Sequence, residues 1–216
     1  MSLHNDNALV VALDTSTDML ACAASWIDGQ TGETKLVSGD HMCRRHANVE
    51  LVNTVDGVLA QAGLDRSDVG YYVVGRGRGR LRVCVSASPL PRASRVVPMF
   101  RCWACRRSTL ALGRRWKAGV RGKLGILADA MRGEVYPALY MLVDEGPERQ
   151  FEREHVVKTA VALDEWRQAA DWDQVQLTGD GLVRYGKLLG EDETARCVER
   201  DLWWPSGEGL LLAHAA

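Results

Sequence analysis

No apolar run in this chain approaches the roughly 18–20 residues that a membrane-spanning helix needs, so none is expected. The opening stretch MSLHNDNALVVALD lacks a basic region followed by a long apolar one. It does not read as a secretory signal, and the cytoplasm is the expected location. The six cysteines (Cys22, Cys43, Cys84, Cys102, Cys105 and Cys197) show no disulfide-framework spacing for a chain of 216 residues. No H-E-x-x-H and no nucleophile–base pair is present, which leaves peptidase chemistry without support. The sharpest absence is local. Between residues 78 and 115 there is no Asp, no Glu and no Lys.

That segment, RGRLRVCVSASPLPRASRVVPMFRCWACRRSTLALGRR, holds ten of the 27 Lys+Arg and none of the 28 Asp+Glu. The net charge of −1 therefore hides a segment near +10 inside a remainder near −11. Elsewhere the composition is ordinary, with 46% hydrophobic residues. The length is enough to bury a core as one domain or two small lobes.

Ala8–Leu13 is a short apolar run that stops at Asp14 before a polar loop, which predicts a buried strand. Met19–Ile27, ending at Asp28-Gly29, and the shorter Lys35–Ser38 extend an antiparallel meander. Residues 46–63 change period. Leu51, Val52, Val55, Val58, Leu59 and Ala62 recur at helical spacing, and Gly63 is the stop. Tyr71–Val74 is the next strand, before Gly75-Arg76-Gly77. After residue 116, Lys123–Ala130 and Glu134–Val143 predict a hairpin turning at Met131–Gly133, and Glu154–Val157 a further strand. Leu163–Ala170 predicts a helix with Trp166 on its apolar side, Val175–Leu177 a strand, and Gly209–Ala216 a helix that continues past the last residue. The order of elements predicts two related α/β lobes, 1–116 and 117–216.

Three motifs carry a family resemblance: Ala12-Leu13-Asp14-Thr15-Ser16-Thr17, Gly75-Arg76-Gly77, and Ala128-Asp129-Ala130-Met131-Arg132-Gly133-Glu134-Val135-Tyr136. In this order and spacing they resemble the TsaB (YeaZ) family over roughly residues 8–77 and 117–216. The resemblance implies a two-lobed actin-like α/β fold of the ASKHA, ribonuclease H-like type. It also implies a non-catalytic scaffold that pairs with a TsaD-like catalytic subunit in tRNA threonylcarbamoyladenosine modification. A TsaE-like ATPase joins such a complex, tRNA is engaged indirectly, and self-pairing into a homodimer stays open. The partner-facing helix would be the one opening at His46, with Val49, Val52, Asn53 and Asp56. No cofactor and no metal are expected.

The family normally reads P-G-S-F-T-G-V-R-I-G-V after G-R-G. One coding string for Arg78–Pro89, with a single base restored, reads P-G-S-L-T-G-V-R-I-G-V-S. Residues 78 to about 115 therefore read as an out-of-frame translation that disrupts the first lobe, with normal reading resuming near Trp116. On that reading the lobe loses a strand and its covering helix. The second interface helix would fall among Pro89, Pro91 and Pro98, so pairing would be impaired.

Each motif also has a plainer role. Asp14, Thr15, Ser16 and Thr17 could face a nucleotide phosphate, as in actin-like proteins, but side-chain-to-backbone bonding that turns the chain is favoured. His46 has Glu50, not a second histidine, four residues on, which argues against a metal site. Arg132-Gly133-Glu134 is a hairpin turn, and Thr178-Gly179-Asp180-Gly181 is a weak phosphate-loop signal. Cys102-Trp-Ala-Cys105 has no second ligand pair. The alternatives are an ASKHA-type small-molecule kinase, which would need a second phosphate loop and a catalytic acid, and an RNA-binding module using the arginines.

Overall fold

The computed structural model describes residues 8–43, 46–76, 101–152 and 156–215. The chain divides into two compact units, Met1–Leu110 with Pro205–Ala216, and Ala111–Trp204.

The first unit is built on a mixed sheet. Strand β1 (Leu9–Asp14) lies between β2 (Met19–Ile27), antiparallel to it, and β5 (Val69–Arg76), parallel to it. The order is β3-β2-β1-β5-β6, where β3 is Thr34–Ser38 and β6 is Arg101–Arg106, and the two-residue β4 (His41–Met42) pairs with β2. Because strand residues alternate faces, the near-continuous apolar run of β1 loads both sides of the sheet. Leu9, Val11 and Leu13 face one core, with Leu20, Cys22 and Ala24 of β2. Val10 and Ala12 face the other, with Tyr71 and Val73 of β5.

Helix α1 (Ala47–Ala62) covers the first face with Leu51, Val55, Val58 and Leu59. Burial of each is worth about 1.5–3 kcal/mol. It stops at Gly63, which takes φ 70°, and the Leu64 N–H closes back on the Leu59 carbonyl at 2.9 Å. The second face is covered by α6 (Gly207–Ala215), whose Leu210 is fully buried against Ala12 and Val73. The small residues Ala12, Ala21 and Ala23 let that helix approach closely. Gly207 abuts the backbone of Cys22 and Ala23, with no room for a Cβ. Its N–H donates to the Asp40 carboxylate at 2.9 Å, and the same oxygen accepts the Cys22 N–H at 2.9 Å. Ser206 starts the helix by accepting the Gly209 N–H at 3.0 Å.

Two expectations change here. The division expected after residue 116 falls at 110/111, and the last helix returns to the first unit because the second face of that sheet needs a cover. The out-of-frame reading of 78–115 finds no support. Arg101–Arg106 forms β6, in parallel register with Tyr71–Arg76, so the first unit has a strand where a missing one was expected. Helix α2 (Arg107–Lys117) follows directly, and its Leu112 and Arg115 are buried. Pro89, Pro91, Pro98 and Cys84 lie outside the described residues.

The second unit centres on the hairpin of β7 (Gly122–Met131) and β8 (Glu134–Val143). β9 (Gly146–Glu152) and β10 (Val157–Lys158) pair with β8, and β11 (Gln176–Thr178) runs parallel to β7. Leu127, Val135 and Leu177 pack with Leu163 and Trp166 of α3 (Thr159–Arg167). Leu124, Ile126, Tyr140 and Leu142 pack with Leu112. The short helices α4 (Gly181–Tyr185) and α5 (Glu191–Ala195) complete the unit. Glu193 of α5 accepts Nε and Nη2 of Arg167, both at 2.7 Å, the Trp172 indole at 3.0 Å and the Gly190 N–H at 2.8 Å. These bonds, the Arg167 guanidinium first among them, pull the Glu193 carboxyl down from 4.5 to about 2.

Gly207→Ala should destabilise the first unit by ~1–3 kcal/mol through overpacking against the β2 backbone, measurable by urea denaturation. For Glu193 the depressed value means its stabilisation is complete above the unfolded carboxyl value and is lost as pH falls from 4.5 through about 2. That span is worth up to about 3 kcal/mol. Glu193→Gln should lose ~1–3 kcal/mol at neutral pH and flatten the acid limb of stability against pH.

Candidate functional site

In the first unit the loop after β1 is tied to itself. Asp14, Thr15 and Thr17 are buried. The Asp14 carboxylate accepts the Ser16 N–H at 2.8 Å and the Ser16 hydroxyl at 2.9 Å. Thr17 Oγ1 accepts the Met19 N–H at 3.1 Å and donates back to the Met19 carbonyl at 3.2 Å. The strand therefore ends in two consecutive side-chain-closed turns.

Helix α1 turns His46, Val49, Val52, Asn53 and Asp56 outward, at the three- and four-residue spacing of one face. His46 is the cap residue and makes no side-chain capping bond. Val49 is 73% exposed and Val52 38% exposed, unusual for valines on a helix that otherwise buries its aliphatics. Asp56 accepts Nε and Nη2 of Arg66 at 2.5 Å each, which fixes the far end of the face. The apolar stripe read from the sequence mostly serves the chain's own core. Leu51, Val55, Val58 and Leu59 point inward, leaving Val49 and Val52 at its margin.

Sequence periodicity gave no sign of His41. From β4, its Nδ1 faces the Gly39 carbonyl at 3.1 Å and its Nε2 faces the Glu50 carboxylate at 2.7 Å. Both partners are acceptors, so only the doubly protonated ring satisfies both. The Gly39 carbonyl, then Glu50, push its pKa above 6.5. The pair braces the first turn of α1 beside Val49. His41 and Glu50 stand nine residues apart on different elements, so no helical or strand spacing links them.

In the second unit the Thr178–Gly181 loop is woven into the fold. Gly179, at φ 116°, and Gly181 lie against the Leu127 backbone, where a Cβ would collide. Thr178 Oγ1 accepts Nε of buried Arg115 at 2.8 Å and donates to the Leu202 carbonyl at 3.1 Å. Burial, then repulsion from Arg114, lowers the Arg115 guanidinium to about 9, while Asp180 opposes the shift. Asp180 accepts the Asp129 N–H at 2.9 Å. Among the described residues no group of three or more His, Cys, Asp or Glu side chains could hold a metal ion. Among them also, no helix is long and apolar enough to cross a membrane.

No family model and no curated protein matches the chain. Solved structures do. YeaZ from Pseudomonas aeruginosa superposes with a TM-score of 0.68 at 21% identity, over 96% of this chain and 91% of that one. A Pseudomonas aeruginosa protein with similarity to peptidase YeaZ gives 0.68 and 21%, over 96% and 90%. A ParM filament subunit from Clostridium botulinum gives 0.50 and 8%, over 97% and 100%. The fold is thus the YeaZ fold, a mixed α/β architecture of the actin-like class, as the motifs implied.

The His41 contribution to stability should be complete below 6.5 and fade as pH rises through the raised folded value. An NMR titration of His41 should show a midpoint above 6.5 that falls toward 6.5 in Glu50→Gln. A midpoint at or below 6.5 would contradict the paired geometry.

Proposed function

We propose that the chain is a TsaB-like, non-catalytic scaffold that pairs with a TsaD-like catalytic subunit in tRNA threonylcarbamoyladenosine modification. A TsaE-like ATPase would join the complex and tRNA would be engaged through the catalytic partner. The observation that carries this reading is the superposition on YeaZ along 96% of the chain, together with the three motifs in family order.

The pairing surface is the outward face of α1: His46, Val49, Val52, Asn53 and Asp56. Two exposed valines one turn apart offer the short apolar ridge that a partner helix can cover. The His41–Glu50 and Asp56–Arg66 pairs hold both ends of that ridge in place. The segment with Pro89, Pro91 and Pro98, from which a second contributing helix was expected, lies outside the described residues.

The test is binding of the purified chain to the TsaD-like subunit of the same organism, with ATP turnover and RNA binding measured in parallel. A measurable complex, with Kd on the order of micromolar or weaker, is expected, and Val49→Asp with Val52→Asp should abolish it. Binding unaffected by those substitutions would remove α1 as the surface. ATP turnover by the chain alone, or RNA affinity falling steeply with salt, would replace the scaffold reading with the kinase or RNA-binding alternative.

A further inference from the structure

The tip of the β7–β8 hairpin combines features that local preference disfavours. Met131, Arg132 and Gly133 take φ of 70°, 55° and 79° in succession. Met131 and Arg132 are the two non-glycine residues with positive φ among the described ones. The register slips between Asp129 and Met131, and Met131 pairs with Glu134. The geometry is a bulge followed by a two-residue hairpin turn. Glycine is usual at such a bulge, and Asn, Asp or Gly at the first turn position. Methionine and arginine stand there instead, at about 1–2 kcal/mol of backbone strain each.

Packing does not offset that strain at the tip itself. Met131 is 50% exposed and Arg132 is exposed. What holds the shape is a polar brace from below. Buried Asp129 accepts the Met131 N–H at 2.9 Å and the Tyr185 hydroxyl proton at 2.9 Å. The Tyr185 oxygen in turn accepts the Gly133 N–H at 3.1 Å. Arg184 Nε pairs with the second Asp129 oxygen at 2.9 Å. From the other side, Thr159 donates its N–H and its hydroxyl to the Gly133 carbonyl at 3.0 and 3.2 Å, and Lys158 donates to the Arg132 carbonyl at 3.3 Å.

We propose that this tip is a tensioned latch: Asp129, through Tyr185 and Arg184 of α4, clamps residues 131–133 in a left-handed conformation that their own side chains disfavour. Loss of the clamp lets the tip relax to right-handed or extended backbone and releases the Arg184–Tyr185 end of α4 from it, while Gly181 stays packed on the Leu127 backbone. The accessible handle is Arg184, 45% exposed, whereas Asp129 beneath it is 8% exposed. The device is independent of the scaffold assignment, because it concerns the hairpin's own conformational equilibrium.

A mutational cycle on the full chain tests it. Arg132→Asn with Met131→Gly places residues suited to left-handed backbone at both strained positions. The folding equilibrium constant should rise by ~10-fold or more, the entropic cost of the new glycine offsetting part of the relieved strain. In a Tyr185→Phe or Asp129→Ala background the same pair should gain less than about twofold, because the tip has already relaxed. Arg132→Asn alone, at an exposed site, is the mild control and should stabilise in the same direction. Amide exchange gives a second readout: Met131 and Gly133 should be protected in the parent and exposed in Tyr185→Phe. Equal gains in both backgrounds, no gain in the parent, or freely exchanging tip amides in the parent would overturn the proposal.

Discussion

A sheet whose central strands are apolar on both faces must be covered twice. In the first unit that requirement organises the rest. The β1 sequence LVVALD gives Leu9, Val11 and Leu13 to one side and Val10 and Ala12 to the other. Water is excluded from the first side by α1, which the chain supplies within thirty or so residues. Among the described residues, the second side is covered by no element close by in sequence. The chain closes it with its last helix, brought back across more than a hundred residues and pinned where Gly207 meets the β2 backbone. Asp40 accepts one N–H from each partner at that point, so the close approach leaves neither donor buried and unmet.

The second unit solves a different problem, that of holding short elements around a long hairpin. Helices of five residues have little stability of their own. α4 is tied to the hairpin by Tyr185 and Arg184 on Asp129, and α5 is tied to α3 by Glu193 on Arg167. Both ties use a carboxylate that is largely buried and multiply bonded, the condition under which a buried charge is tolerated. The same economy shapes the Thr178–Gly181 loop. Its glycines let it lie on the Leu127 backbone, and its polar side chains bond to Arg115, Leu202 and Asp129 within the unit.

Most of the regular elements were legible in the sequence, and the reasons are local. Met19–Ile27 and Glu134–Val143 carry long runs suited to strands, and α1 ends at a glycine that adopts the left-handed stop. β9, reading GPERQFE, escaped because it carries a proline, three charges and one large apolar residue, so its pairing comes from β8 and not from its own pattern. α4 and α5 escaped because five residues hold too little of a helical period. β6 escaped because an arginine-rich composition masked a strand whose place is set by the free edge of β5. Of the candidate site, periodicity located helix α1 and its inward stripe, while the outward residues were named from the family resemblance. That His41 braces the first turn of α1 could not be read, since the contact depends on β4 lying beside Glu50.

Residue spacing and the order of elements along the chain were enough for the α/β class, the central strands and the register of α1. Tertiary structure alone decided that the last helix belongs to the first unit and that 101–117 forms a strand and a helix. It also decided that a buried aspartate holds two non-glycine residues left-handed at a hairpin tip. Each of those outcomes is a contact between residues far apart in sequence, where the deciding energy lies in covering a face or satisfying a buried polar group, and neither leaves a period to read.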